Sequence, residues 1–152
     1  IPGIVIRTSL IVGFPGEGEA EFQELLDFVE EGHFNHIGVF PYSREEGTKA
    51  AEFPGQVDES VKKERRAMLM SVQKKVSKRL MKARVGQECE VLIEGMEAEG
   101  LYYGRSYREA PEVDGLIYIQ SPTPLETGKF VKAGIVKAYE YDLLGEAYES
   151  RK

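Results

Sequence analysis

The sequence predicts two unlike bodies in one chain, an α/β segment followed by an all-β barrel, joined by a long basic helix. Three observations carry that reading. The hydrophobic period changes along the chain: a strand–helix–strand order over residues 1–56, a helical repeat over 57–83, and a period of two from residue 84 to 152. The charge changes at the same places, with 3 basic and 10 acidic residues in the first block (−7), 9 and 3 in the second (+6) and 8 and 13 in the third (−5). Finally, 152 residues with 41% hydrophobic and 10% aromatic content are enough for one domain or two small ones with real cores.

The first predicted element is Ile4 to Phe14, a nearly continuous apolar run rich in β-branched residues and broken only by Arg7, Thr8 and Ser9. It reads as a buried parallel strand. From Glu19 to Glu31, Phe22, Leu25, Leu26 and Val29 fall at helical spacing, Glu19 and Glu21 favour the helix N-terminus, and Gly32 supplies the left-handed stop. His36 to Phe40 is a second strand, so a helical crossover joins two parallel strands. Pro41 to Gly55 reads as a loop. Asp58 caps a helix whose apolar face is Val61, the Arg65 stem, Met68, Leu69, Val72, Val76 and Leu80, ending near Gly86. Cys89, Val91 and Ile93 then alternate with polar residues, followed by Leu101–Tyr107, Leu116–Gln120, Phe130–Lys137 and Tyr139–Leu144. Five such strands predict a small antiparallel barrel.

The chain opens Ile1-Pro2-Gly3 without a Met, and is expected to be part of something longer. A lone strand–helix–strand piece exposes sheet edges, through which it is expected to self-associate. No apolar run approaches the ~20 residues of a membrane helix. With one cysteine, Cys89, no internal disulfide forms, and a reducing, cytoplasmic setting is expected. Cys89 itself reads as a small core hydrophobe. His33 and His36 lie three apart across a helix end with no third ligand near, and read as structural, with no metal assigned.

The turn Gly13-Phe14-Pro15-Gly16-Glu17 leads from a strand into a helix N-terminus, where glycines let backbone amides approach an anion. A tight connector is the alternative. Arg7, a cation in a strand read as buried, calls for an anionic partner, whether ligand or salt bridge. Tyr42-Ser43 follows the second strand at the same edge of the sheet, so the two loops are expected to be neighbours. The helix cations Lys62, Lys63, Arg65, Arg66, Lys74, Lys75, Lys78, Arg79, Lys82 and Arg84 read first as a solvated face and second as a phosphate contact. In the barrel, Tyr102, Tyr103, Arg105, Tyr107 and Arg108 mix aromatics with cations as single-strand binders do. A charge of −5 nevertheless suits a basic protein better than a polyanion.

Arg7-Thr8-Ser9-Leu10-Ile11-Val12-Gly13-Phe14-Pro15-Gly16-Glu17, followed by Tyr42-Ser43 and Gly47-Thr48, resembles the C-terminal part of the radical-SAM core of the methylthiotransferases. The barrel resembles the TRAM domain, an OB-like barrel, that follows it there. Gly104-Arg105-Ser106-Tyr107, Ala110 to Gly115 and Tyr141 to Glu146 are similar to the branch that methylthiolates the β-carbon of an aspartate in a small-subunit ribosomal protein. The resemblance implies that residues 1–56 are the last strand–helix–strand of a partial TIM barrel, 57–83 a bridging helix and 84–152 the TRAM barrel. It implies S-adenosylmethionine and two [4Fe–4S] clusters in the full-length enzyme, with the cluster cysteines upstream of Ile1, so the isolated fragment is expected to be inactive. Arg7, Ser9, Ile11, Gly13, Pro15, Gly16, Tyr42 and Ser43 would then line the S-adenosylmethionine end. Tyr103, Arg105, Tyr107, Arg108 and Asp114 would meet the substrate. No residue of the chain is assigned to catalysis or to a metal. Two positions depart from the family pattern, Gly18 for a Thr that would cap the helix and Lys49 for a Pro, the latter expected to loosen its loop. The alternatives are a tRNA methylthiotransferase of the same architecture, less favoured by the charge, and a non-catalytic nucleic-acid or protein binding module.

Overall fold

The computed structural model describes residues 1 and 3–148. Residues 149–152 of the predicted barrel segment lie outside the described residues. The chain forms two compact units, Ile1–Ser77 and the chain from Lys78 onward.

In the first unit β1 (Arg7–Val12) and β2 (His36–Pro41) pair in parallel from Arg7↔His36 to Val12↔Pro41, with α1 (Glu19–Glu30) as the crossover. The predicted order and pairing are found. Pleating sends alternate side chains to opposite faces. Val12, Ile37 and Val39 pack with Phe22, Leu26 and Val29 of α1 and with Leu69. Arg7, Ser9 and Ile11 take the other face, in register with His36, Gly38 and Phe40.

That second face is exposed, which corrects the reading of a buried strand. Ile11 and Phe40 are each 57% exposed, and Arg7 is exposed too. A buried cation in need of an anion is therefore not what Arg7 is. The apolar run cannot distinguish a strand covered on both faces from one with its partner on a single face.

Gly18 caps α1 without a side-chain acceptor, while the Glu21 carboxylate accepts from the Gly18 N–H at 2.9 Å. Half of a capping box survives the substitution. Lys49 opens a short 3₁₀ turn, Lys49–Glu52, capped by Thr48, so this part of the predicted loop is ordered. α2 (Glu59–Lys82) begins after Asp58, whose carboxylate accepts from Ser60 N at 2.8 Å. Its buried side chains are Lys62, Arg65, Leu69, Gln73 and Val76, whereas Met68 is 43% exposed. The inward face is thus rotated from the predicted one, because cations rather than apolar residues occupy part of it. No helix among the described residues is long and apolar enough to cross a membrane.

The second unit is a closed barrel of β3 (Glu88–Ala98), β4 (Leu101–Arg105), β5 (Ile117–Gln120), β6 (Phe130–Ala138) and β7 (Leu143–Ala147), in the order β3-β4-β5-β7-β6. Four pairings are antiparallel and β5–β7 is parallel. The barrel is mixed, not antiparallel as predicted. A closed ring with an odd number of strands cannot alternate direction all the way round, so one parallel pair is unavoidable. The last strand also starts later than predicted: Tyr139 N donates to Asp142 O at 2.8 Å, closing a turn where the sequence reads as strand. Val91, Ile93, Tyr102, Ile117, Ile119, Ala133, Ile135 and Leu143 fill the interior, with half-buried Cys89 against them. Gly104 is required at its place, since a Cβ there would collide with the Leu92 carbonyl across the β3–β4 ladder. Beneath the β4–β5 loop the Arg84 guanidinium is buried in an ion pair with Glu109, whose other oxygen accepts from Ser106 N at 2.9 Å and Ser106 Oγ at 2.5 Å.

Candidate functional site

β1 ends at Val12, and the chain turns through buried Gly13 with φ +73° and Gly16 with φ +89°, values that favour glycine. Glu17 closes the turn on itself, its Oε1 accepting from the Gly13 N–H at 2.8 Å. The same oxygen accepts from Arg65 Nη1 at 2.8 Å, and that nitrogen also donates to the Glu17 carbonyl at 2.9 Å. Pro15 is buried and Phe14 partly exposed, its ring 5.3 Å from that of Tyr42 and 6.3 Å from that of Phe53, both edge-on.

The two predicted loops are indeed neighbours. Tyr42 N donates to Val12 O at 2.8 Å, and Gly16 N to Gly55 O at 2.9 Å. Lys62, 2% exposed, crosses between them: its stem covers Gly13, leaving no room for a Cβ, and its Nζ donates to Tyr42 O at 3.0 Å and to Glu59 at 2.6 Å. The ammonium also lies 5.2 Å from the Tyr42 ring centroid. The Tyr42 hydroxyl is buried with no partner. Ser43 turns instead to Glu45, donating at 2.7 Å.

The structure therefore brings Gly13, Pro15, Gly16 and Tyr42 together at one corner, with Arg7, Ser9 and Ile11 along the exposed sheet face that leads to it. In the barrel the predicted residues are more dispersed in role. Arg105 is held by a bidentate pair with Glu94, one contact being 2.7 Å from Nε. That hydrogen bond holds the Glu94 carboxyl below the usual carboxylate range, with burial opposing it. Asp114 accepts from Ala110 N at 2.7 Å and pins a turn. Tyr103 lies over Gly95. Tyr107 is 75% exposed, with Arg108 donating to its hydroxyl at 3.1 Å.

Residues 85–147 match the TRAM domain family. Over 146 residues the chain is 53% identical to the ribosomal protein uS12 methylthiotransferase RimO of Thermoanaerobacter sp. (strain X514). It is 51% identical over 146 residues to the RimO of Caldanaerobacter subterraneus subsp. tengcongensis, and 53% over 148 residues to that of Desulforamulus reducens. Each match takes in 96% of this chain and 33% of the relative. Along nearly its whole length the chain is similar to RimO proteins, and its barrel carries the TRAM match.

It spans about a third of the length of the curated RimO relatives it matches. At 96% of this chain, the matches take in residues of both the α/β unit and the TRAM barrel. What sequence reasoning missed at the corner is the part played by α2. Lys62 was read with a solvated basic face, and Arg65 both there and, by its stem, on the apolar face, yet the two are 2% and 7% exposed and serve the turn. A 3.6-residue spacing of cations with Leu69 and Val76 was the available signal.

Proposed function

We propose that this chain is the segment of a radical-SAM methylthiotransferase that forms one wall of the S-adenosylmethionine site and carries the barrel that meets the protein substrate, ribosomal protein uS12. The observation that carries the reading is the similarity to RimO along 96% of the chain. The residues present also fit the cofactor. Ile11 and Phe40, in register and both exposed, offer an apolar surface of the kind an adenine ring takes up. Ser9 adds a hydroxyl on the same face, Arg7 a cation for a carboxylate, and the Gly13–Gly16 turn a glycine backbone that a ligand can approach closely. The buried Tyr42 hydroxyl without a partner suits a polar ligand atom or a water.

S-adenosylmethionine, with two [4Fe–4S] clusters, would supply the radical chemistry. This chain's residues would bind and orient the cofactor, since Cys89, its single cysteine, belongs to the barrel and cannot hold a cluster. In the TRAM unit, Arg105 and Asp114 hold Glu94 and Ala110, while Tyr107, 75% exposed and paired with Arg108, presents the larger accessible surface. The acidic surplus of that segment favours a basic protein over tRNA. A ribosomal substrate puts the reaction in the cytoplasm.

The test is reconstitution of the full-length protein with both clusters, followed by mass analysis of uS12 and of tRNA. A methylthio gain on an aspartate of uS12 is expected. Modification of tRNA, or a salt-sensitive tRNA complex, would overturn the choice of substrate. The 152-residue chain alone is expected to show no turnover, and Ile11→Asp to weaken cofactor binding by the full-length protein while leaving the melting temperature of this chain unchanged.

A further inference from the structure

We propose that Arg65, with Lys62 beside it, is a positioning residue for S-adenosylmethionine: α2, and not the glycine turn alone, sets the shape of the cofactor-binding corner. The inference rests on the cofactor reading above and assigns to α2 a role in it.

The geometry points to Arg65 because its partners are the turn itself. The guanidinium grips Glu17 twice, at the carboxylate and the backbone carbonyl, and the same carboxylate oxygen holds the Gly13 N–H. The Glu17 side chain is 12% exposed. Without the cation, that carboxylate would be left nearly buried with only an amide to neutralise it, and rotation toward water would release Gly13. Lys62 works on the other strand end, tying the Tyr42 carbonyl to the ridge over Gly13.

Stability alone does not account for these cations. A buried ion pair is often replaced by apolar side chains of similar volume without loss. Arg65 also carries an unsatisfied buried Nε, a defect that an apolar residue would lack. What a guanidinium does here, and a methionine cannot, is orient Glu17 and through it the amide of Gly13.

The experiment has two readouts. In the full-length, cluster-loaded protein, Arg65→Met is expected to weaken S-adenosylmethionine binding at least tenfold by equilibrium dialysis, measured well below the melting point that stranding Glu17 lowers. Arg65→Lys should fall between, and exposed Lys63→Met should match the parent. In the 152-residue chain without cofactor, Arg65→Met should speed hydrogen exchange at the Gly13 amide at least tenfold. Binding within twofold of the parent together with unchanged Gly13 exchange overturns the proposal. If the parent protein itself binds no S-adenosylmethionine, the cofactor reading fails separately, and Gly13 exchange alone decides whether Arg65 positions the turn. If Arg65→Met does not fold, the neutralised pair Glu17→Gln/Arg65→Met replaces it: at least tenfold weaker binding by the folded double variant supports the role, and parental binding refutes it.

Discussion

Replacing Glu109 by alanine is expected to remove the cooperative melting of the barrel near room temperature. Arg84 and Glu109 are each 10% exposed at the side chain, and Glu109 accepts from Arg84, from Ser106 N and from Ser106 Oγ. Deletion leaves the guanidinium buried without a carboxylate, with the Ser106 hydroxyl at 3.5 Å and the Cys89 thiol as neutral neighbours. Stranding one member of a buried pair costs about 3–5 kcal/mol. A single core of this size supplies about the same. At about 4–8 °C per kcal/mol for a domain of this length, the melting point should fall by about 12–40 °C. Tyrosine fluorescence can follow the transition, the chain having no tryptophan, and amide exchange at Ile93 and Ile119 assigns it to the barrel. Glu94→Ala is the matched control: its pair with Arg105 is more exposed, at 28% and 20%, so a loss of no more than about 1 kcal/mol is expected. Arg84→Met/Glu109→Leu should recover most of the stability. A Glu109→Ala barrel melting within 5 °C of the Glu94→Ala variant, roughly what 1 kcal/mol is worth here, would refute the buried-pair argument.

Three further outcomes are expected. Gly104→Ala should destabilise the barrel by about 2 kcal/mol or more, because the new methyl meets the Leu92 carbonyl across two paired strands; a melt unchanged from the parent would show that the ladder can part there. The Glu94 carboxyl is held low in the folded state, so its contribution is present above the unfolded value of about 4.3 and is lost as pH falls through the lowered folded value. Acid titration of barrel stability should therefore be shallower in Glu94→Gln below about pH 4.5. Burial pushes the Cys89 thiol up, with Arg84 opposing, so alkylation near pH 8 should be slow in the folded barrel and should accelerate on unfolding in urea; equal rates would contradict its place beside the core.

Elements governed by local period were legible in the sequence: α1 and β2 fall within a residue of expectation, and Asp58 caps α2 as read. The adjacency of the Gly13 and Tyr42 loops followed from parallel pairing alone. What was not legible depended on partners distant in sequence. Whether Arg7 is buried is decided by what covers the second face of β1, and no local pattern records that. The closing β5–β7 pair depends on strand count and closure. The end of the chain was misread because Tyr139 and Tyr141 have strand propensity, while Asp142 uses its carboxylate on Leu116 N at 2.7 Å and its carbonyl on Tyr139 to make a turn. Among the site residues, Arg105 and Asp114 look the same in sequence whether they await a ligand or serve a neighbour.

The basic helix shows why a charge block can mislead. Lys62 donates to the carbonyl of Tyr42, Arg66 to that of Val39 and Gln73 to that of Asn35, the three lying just past the end, in the middle and just before the start of β2. As the helix number rises the strand number falls, so α2 runs antiparallel to β2. The spacings 62, 66 and 73 place the donors on one stripe, four and seven residues apart. At 1.5 Å per helical residue and about 3.3 Å per strand residue, the steps are about 6 and 10 Å on the helix against about 10 and 13 Å on the strand. Long side chains absorb a mismatch of a few ångströms, which short polar ones could not. A peripheral strand leaves backbone acceptors that must be paired or solvated, and flexible donors on an adjacent helix satisfy them where a further strand would otherwise be needed. The excess of Lys and Arg in this stretch is therefore partly structural: Lys62, Arg65 and Arg66 serve the α/β unit. The charge left for a nucleic acid is correspondingly smaller than the sequence count of +6, which weakens the tRNA reading independently of the acidic barrel.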